Sequence, residues 1–179
     1  MNTEQFAALL EELNACDEAA RWAHGKDLHT VWTTCERADW LLWLCGKMAG
    51  KKGWPTRKQL VLAACACAET SLQYVKAGED RPRLAIETAR AWVRGEANIE
   101  DVRRAASAAY AAAYAASAAD AASAAYAAYA AADAAYAADA AYAASAADAA
   151  YAARDKALAQ SSDIVRREIP EPLGKVVKP

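Results

Sequence analysis

The sequence predicts an all-α protein, because it combines dense helix-capping signals, almost no strand pattern and a long alanine-rich second half. Residues 105–153 comprise 34 Ala, seven Tyr, four Asp and four Ser, with no Gly or Pro among them. Alanine is the strongest helix former, so this stretch is expected to be helical. We predict a compact helical bundle with a C-terminal array of closely packed, antiparallel, alanine-rich helices.

Apolar residues before position 80 recur at helical spacing between turn residues. A helix is expected to follow Thr34 and to carry Trp40–Met48. The segment 50–55 has the composition of a loop. Thr56 is then expected to cap a long helix that reaches about Ala77.

Two further helix starts are indicated before the alanine-rich stretch. Pro82 fits the first turn of a helix that ends at Gly95. Asn98, followed three residues later by Asp101, has the pattern of another capped start. These signals divide residues 80–104 into helices that lead into the alanine-rich stretch.

The non-alanine residues of 105–153 recur mostly at every third position, with two steps of four. A three-residue step advances about 300° on an α-helix, so such a stripe moves around the helix. One unbroken helix of this length would be about 75 Å long. We therefore expect two or three antiparallel helices, whose alanine faces allow an unusually close approach.

The composition also suggests how the chain is organised. Residues 1–104 form a tryptophan-containing helical region, and residues 105–169 are expected to pack on it, within a single domain. The last helix is expected to stop before Pro170. Residues 170–179 are expected to form a loose tail.

Charge and hydropathy exclude several classes of protein. The net charge is −2, and residues 1–104 carry 15 basic and 15 acidic side chains, so no basic face for duplex nucleic acid is indicated. No apolar run is long enough to span a membrane, and the acidic start does not resemble a signal peptide. We expect a cytoplasmic location.

The five cysteines are expected to be free thiols in that compartment. Cys65 and Cys67 form a C-x-C pair, which on a helix separates the two thiols by about 200°. They therefore cannot both face one metal ion, and buried thiols are the better interpretation. No phosphate loop or dinucleotide fingerprint occurs, so we expect neither a metal nor a cofactor.

Arginine and tryptophan carry the candidate binding chemistry. Arg81 and Arg90 could grip an anion, since a guanidinium group binds phosphate through two hydrogen bonds, and Trp40 and Trp92 could stack on a base or a cation. The alternative is structural: the tryptophans form core, and the arginines pair with Glu79, Asp80, Glu87 and Glu96. Two interpretations are likewise open for Tyr110 and Tyr114: they fill grooves between helices, or they line a pocket.

Three stretches carry a resemblance to a known group: Cys35–Trp43, LVLAACACAE at 60–69 and GEDRPRLAIETARAWVRGEA at 78–97. With the alanine-rich segment and the IVRREIP ending, residues 30–170 resemble bacterial and phage proteins termed putative immunity proteins. The resemblance implies an all-α fold and an immunity role, without established catalytic residues. The matching positions are Arg37, Asp39, Trp40, Arg81, Pro82, Ala85, Arg90, Trp92 and Gly95.

The favoured hypothesis is a non-enzymatic counter-defence or immunity protein that neutralises by sequestration. Its target would be a small nucleotide immune signal or, as the alternative, a toxin protein. The candidate ligand-binding set is Arg37, Asp39, Trp40, Arg81, Arg90, Trp92, Tyr110 and Tyr114. A small-molecule enzyme and a structural helix former are the other classes, and homo-oligomers are compatible with each because uncovered alanine faces would pair.

Overall fold

A computed structural model describes residues 1–117 and 151–173, with side chains for 1–112 and 156–173. The described chain forms α-helices and one short 3₁₀ turn without a strand, so the predicted all-α class is confirmed. The helices, in chain order, are α1 Thr3–Glu12, α2 Asp17–Ala23, α3 Leu28–Thr34, α4 Ala38–Met48, α5 Arg57–Glu69, α6 Arg81–Arg94, α7 Ile99–Ser117 and α8 Tyr151–Glu168.

Local capping chemistry sets most of these boundaries. Thr56 accepts from the backbone N–H of Gln59 at 3.2 Å, while the Gln59 side chain accepts from the Thr56 N–H at 2.9 Å. Asn98 and Asp101 form the same reciprocal pair at the start of α7. Gly95 ends α6 with a φ of 82°, which favours glycine. The predicted caps at Thr56, Asn98 and Gly95 are confirmed.

One predicted boundary is wrong, and one helix was not predicted. The helix from Thr56 does not reach Ala77 but ends at Glu69, and a 3₁₀ turn follows at Leu72–Tyr74. The backbone N–H groups of Thr70 and Ser71 donate to carbonyls three residues back, at Cys67 and Ala68, so the helix tightens into the 3₁₀ pattern and ends. Helix α3, which Asp27 caps, was not predicted from the sequence, because it is too short to show clear periodicity.

Helix α5 lies between two apolar clusters and contributes to both. Leu60 and Ala63 pack with α1, α3, α4 and the end of α8 in the first cluster. Val61, Ala64 and Cys65 pack with α6 and α7 in the second. Because one helix supplies both clusters, the two halves of the described chain are joined through shared core.

The second cluster contains the beginning of the alanine-rich stretch. Val102, Ala106, Ala109 and Ala112 follow one another at helical spacing on α7 and are buried. They face α6, where Ala85, Ile86 and Ala89 are buried. The first part of the stretch is thus a core-forming helix, whereas the predicted number and breaks of helices between 118 and 150 lie outside the described residues.

The end of α8 is held against the N-terminal helices. Val165 and Ile169 belong to the first cluster, and Ile169 is fully buried. Arg166 donates to the backbone carbonyl of Trp32 at 2.6 Å and to that of Cys35, which satisfies carbonyls at the end of α3.

Residues 170–173, which follow Ile169, are also attached to the bundle. Pro172 is buried, and the Leu173 N–H donates to the Gly53 carbonyl at 3.0 Å. The Glu171 carboxylate oxygen Oε1 lies 2.8 Å from Nδ1 of His29, and this hydrogen bond raises the pKa of the imidazole. Residues 170–173 therefore differ from the loose tail expected for 170–179, and residues 174–179 lie outside the described chain.

Candidate functional site

Two tryptophans and two cations form a row between α2 and α4. The guanidinium of Arg37 lies 4.3 Å from the centre of the Trp40 ring, and the ammonium of Lys26 lies 4.1 Å from that of Trp22. The two indole rings are 5.8 Å apart and tilted by 56°. All four side chains are partly exposed. We call this row the tryptophan–cation row; its cation–π contacts hold it together at the surface.

Carboxylates fix the Arg37 end of the row. Arg37 immediately precedes α4, and Asp39 in the first turn accepts from its Nε at 2.9 Å and its Nη2 at 2.7 Å. Glu18 of α2 lies 3.2 Å from Nη1. The hydrogen bonds to Asp39 raise the pKa of Arg37, so the charge over Trp40 is permanent. A planar two-point pair also gives the guanidinium one orientation.

A cleft of about 30 Å³ opens beside the row. Its walls are apolar: Phe6, Leu10, Ala19, Trp22, Ala23, Val31, Cys35, Trp40, Leu41, Trp43 and Leu44. Sites for drug-sized ligands measure about 300–1,000 Å³. The cleft is therefore too small for a nucleotide and suits a single small apolar group.

The other predicted arginines lie around α6 and are paired with carboxylates. Arg81 donates to Glu79 from its backbone N–H and from its Nε, and this lowers the pKa of Glu79. Arg90 donates to Glu69 of α5 at 3.0 and 2.9 Å. The predicted pairing of these arginines with carboxylates is confirmed, although the partner of Arg90 lies on another helix.

Trp92 and Tyr110 are partly buried and pack against the second cluster. The side chain of Tyr114 lies outside the described set. The structure thus brings Arg37, Asp39 and Trp40 together on α4. Within the described part of the chain, no hydrogen bond or ion pair joins this group to Arg81 or Arg90.

The C-x-C pair on α5 points to two different neighbours, as its helical spacing predicts. The thiol of Cys65 faces the Ile86 carbonyl of α6 at 3.9 Å, and that of Cys67 faces the Ser161 carbonyl of α8 at 3.6 Å. Burial raises the pKa of Cys65 to about 12 and that of Cys67 to about 11. Among the described residues, no group of three or more His, Cys, Asp or Glu is placed to hold a metal ion.

Thiol labelling should distinguish one cysteine from the other four. Cys16 is exposed, Cys35 and Cys65 are buried, and burial raises the pKa of Cys45 to about 12. Because the thiolate is the reacting form, we expect iodoacetamide at about pH 8 to modify Cys16 first in the native protein. Peptide mass spectrometry should find all five labelled after denaturation. Equally fast native labelling of Cys67 would contradict the packing of α5 on α8.

Sequence reasoning missed part of the surface chemistry. Trp22, Lys26 and Glu18 come from α2 and its end, and nothing local connects them with Trp40. A second omission is a basic segment: five basic residues and no acidic one lie between Asp39 and Glu69. Counting charges in short windows, rather than over residues 1–104, would have found it.

The protein is all-α in its described part, and its surface has features suited to binding. None of the helices in the described part has both the length and the apolar character to cross a membrane. The sequence profile of the family described as "Imm-5 like putative immunity protein" matches residues 55–172, which is 118 of the 179 residues. The chain belongs to this immunity protein family, as the resemblance in its sequence predicted.

The matched segment begins at Pro55 and ends at Pro172, so it contains α5–α8. Arg81, Arg90 and Trp92 lie within it, whereas the Arg37–Trp40 group precedes it. No curated protein and no solved structure matches the chain.

Proposed function

We propose that this immunity-family protein neutralises a toxin protein by binding it, without catalysing a reaction, and that the tryptophan–cation row and its cleft anchor the complex. The observation that carries the proposal is the cleft of about 30 Å³ between partly exposed tryptophans. Protein interfaces concentrate their binding energy in Trp, Tyr and Arg side chains around such anchor points. The cleft would receive one small aliphatic side chain of the toxin.

A small nucleotide signal is the second candidate. Its phosphates would suit the cations between residues 47 and 58, but three features weigh against it at the predicted residues. Arg81 and Arg90 are already bound to carboxylates. The cations Arg37 and Lys26 cover faces of the indole rings on which a base would stack. The cleft is about ten times smaller than a usual ligand site.

The first experiment co-expresses the chain with bacterial toxin domains, one at a time, and measures growth. We expect one domain or a few related ones to be neutralised, and the purified pair to form a stable complex. Thermal unfolding with cyclic oligonucleotides and ADP-ribose derivatives tests the second candidate. A ligand at 100 times its Kd adds about 2.7 kcal/mol to stability. A selective shift with a nucleotide and no neutralised toxin would overturn the proposal.

With the toxin in hand, Trp40→Ala is expected to lower its affinity by about 30-fold, or about 2 kcal/mol, since a central aromatic anchor is lost. Isothermal titration calorimetry measures the change. Tyr74→Ala is the matched control, because Tyr74 is an exposed aromatic residue on the 3₁₀ turn.

Trp40 also packs on the first cluster, so a second variant separates binding from folding. Ala19→Leu adds three carbons at the wall of the cleft and removes no core contact. We expect it to weaken binding while circular dichroism stays unchanged. Full affinity in Ala19→Leu would show that the toxin does not use the cleft.

A further inference from the structure

The basic residues between Asp39 and Glu69 form a concentrated positive surface. Lys47, Lys51, Lys52, Arg57 and Lys58 lie in the loop between α4 and α5 or in the helix turns on either side of it, and all five are exposed. We call these five residues the basic loop. None has a carboxylate partner in the described chain, whereas all four arginines of α6 are in ion pairs. The positive charge of α6 is therefore neutralised internally, and that of the basic loop is available to a partner.

The loop is held in one shape by backbone hydrogen bonds. The Gly50 N–H donates to the Pro55 carbonyl at 2.8 Å, and the Trp54 N–H donates to that of Lys51 at 3.0 Å. Gly53, the third residue of this turn, has a φ of 83°, a conformation that favours glycine. The Leu173 N–H also donates to the Gly53 carbonyl. The cations at the tip are thus presented on a preformed turn, which reduces the cost of ordering them on binding.

Arg57 and Lys58 occupy the first turn of α5, and that turn contains no acidic residue. The N-terminus of a helix carries a partial positive charge, so acidic side chains are favourable there and basic ones are not. The fold therefore gains nothing from cations at these two positions. Their placement reinforces the positive potential of the loop, which is what binding an anionic surface requires.

We infer that the basic loop docks an acidic patch on the protein partner, an inference that rests on the proposed function. Charge outside the loop argues against a long nucleic acid: the whole chain carries 21 basic and 23 acidic residues, so without the five bases of the loop it has 16 basic and 23 acidic residues and a net charge of −7. A long polyanion would be repelled by the net negative charge of the rest of the chain, whereas a compact acidic patch would contact only the basic loop. Leu173, 72% exposed beside Gly53, adds an apolar contact suited to a protein surface.

Charge reversal tests the docking with the toxin identified above. The variant K51E/K52E is expected to lower the association rate constant about tenfold at about 50 mM salt, because steering depends on complementary charge. The difference from the wild type should shrink at about 300 mM salt, where screening is stronger. The double variant K76E/K156E, which makes the same change in charge at two exposed lysines elsewhere, is the matched control. Unchanged rate and salt dependence in K51E/K52E would overturn the inference.

A second measurement needs no toxin. Fluorescence anisotropy of the full chain with poly-L-glutamate of about 20 residues should show salt-dependent binding that K51E/K52E weakens. Tighter binding of a single-stranded DNA of about 20 nucleotides, also lost in the variant, would overturn the assignment to a protein partner. So would self-association in light scattering that the variant abolishes. If polyglutamate binding depends on the loop but no toxin is neutralised, the proposed function is wrong, whereas the preference of the loop for acidic polypeptides is supported.

Discussion

Replacing Ile169 with alanine is expected to lower the free energy of unfolding by about 2–5 kcal/mol, the range for truncating a buried aliphatic side chain. Ile169 is fully buried in the first cluster, one residue after the end of α8. Its methyl groups pack among residues more than 100 positions earlier in the chain. Urea unfolding followed by tryptophan fluorescence measures the loss, since Trp32 and Trp54 are buried in the same cluster.

Leu173→Ala supplies the matched control, because Leu173 is four residues further on and 72% exposed. Its effect on stability should stay within about 0.5 kcal/mol. If Ile169→Ala were equally neutral, Ile169 would not belong to the core. The loose tail expected from the sequence would then begin at the end of α8.

Features that depend on a few neighbouring residues were predictable from the sequence. The caps at Thr56 and Asn98 and the glycine end of α6 each involve positions within one helical turn. The ends of α8 and α5 were not predicted equally well. A proline follows the first, whereas the second ends where the backbone changes to i→i−3 hydrogen bonds at Thr70 and Ser71, which no proline or glycine marks in the sequence.

Contacts between distant residues were beyond sequence reasoning. Arg90 was expected to pair near its own helix, yet Glu69 of α5 binds it because α5 and α6 pack side by side. Arg166 was not recognised at all, although it satisfies two carbonyls at the end of α3. A single sequence without an alignment contains no signal for either contact, since each depends on how helices meet.

The candidate site shows the same division. Arg37, Asp39 and Trp40 are neighbours in sequence, so their association on one helix turn was predictable. Trp22 and Lys26 complete the row from α2, and that pairing is tertiary. The basic loop was a purely local signal, but the balanced charge of residues 1–104 concealed it. Charge averaged over a hundred residues hides a patch of five.

Ala106→Leu is expected to lower the free energy of unfolding by about 3 kcal/mol, the upper end of the usual cost of overpacking. Ala106 is fully buried on the face of α7 that packs against α6, where Ala85 and Ala89 are also fully buried. Three added carbons would have to displace one helix from the other, because no flexible long side chain is available at these positions to move aside. Thermal or urea unfolding of the full chain measures the loss.

Ala111→Leu is the matched control, because it makes the same change on an exposed face of the same helix. Leucine is nearly as good a helix former as alanine, so this control should change stability by about 0.5 kcal/mol or less. Only packing then separates the two variants. A small effect at Ala106 would mean that α6 and α7 are not in close contact there, and alanine in this part of the stretch would reflect helix propensity alone. The expected large effect would instead show that alanine is required at the buried positions by the closeness of the helices.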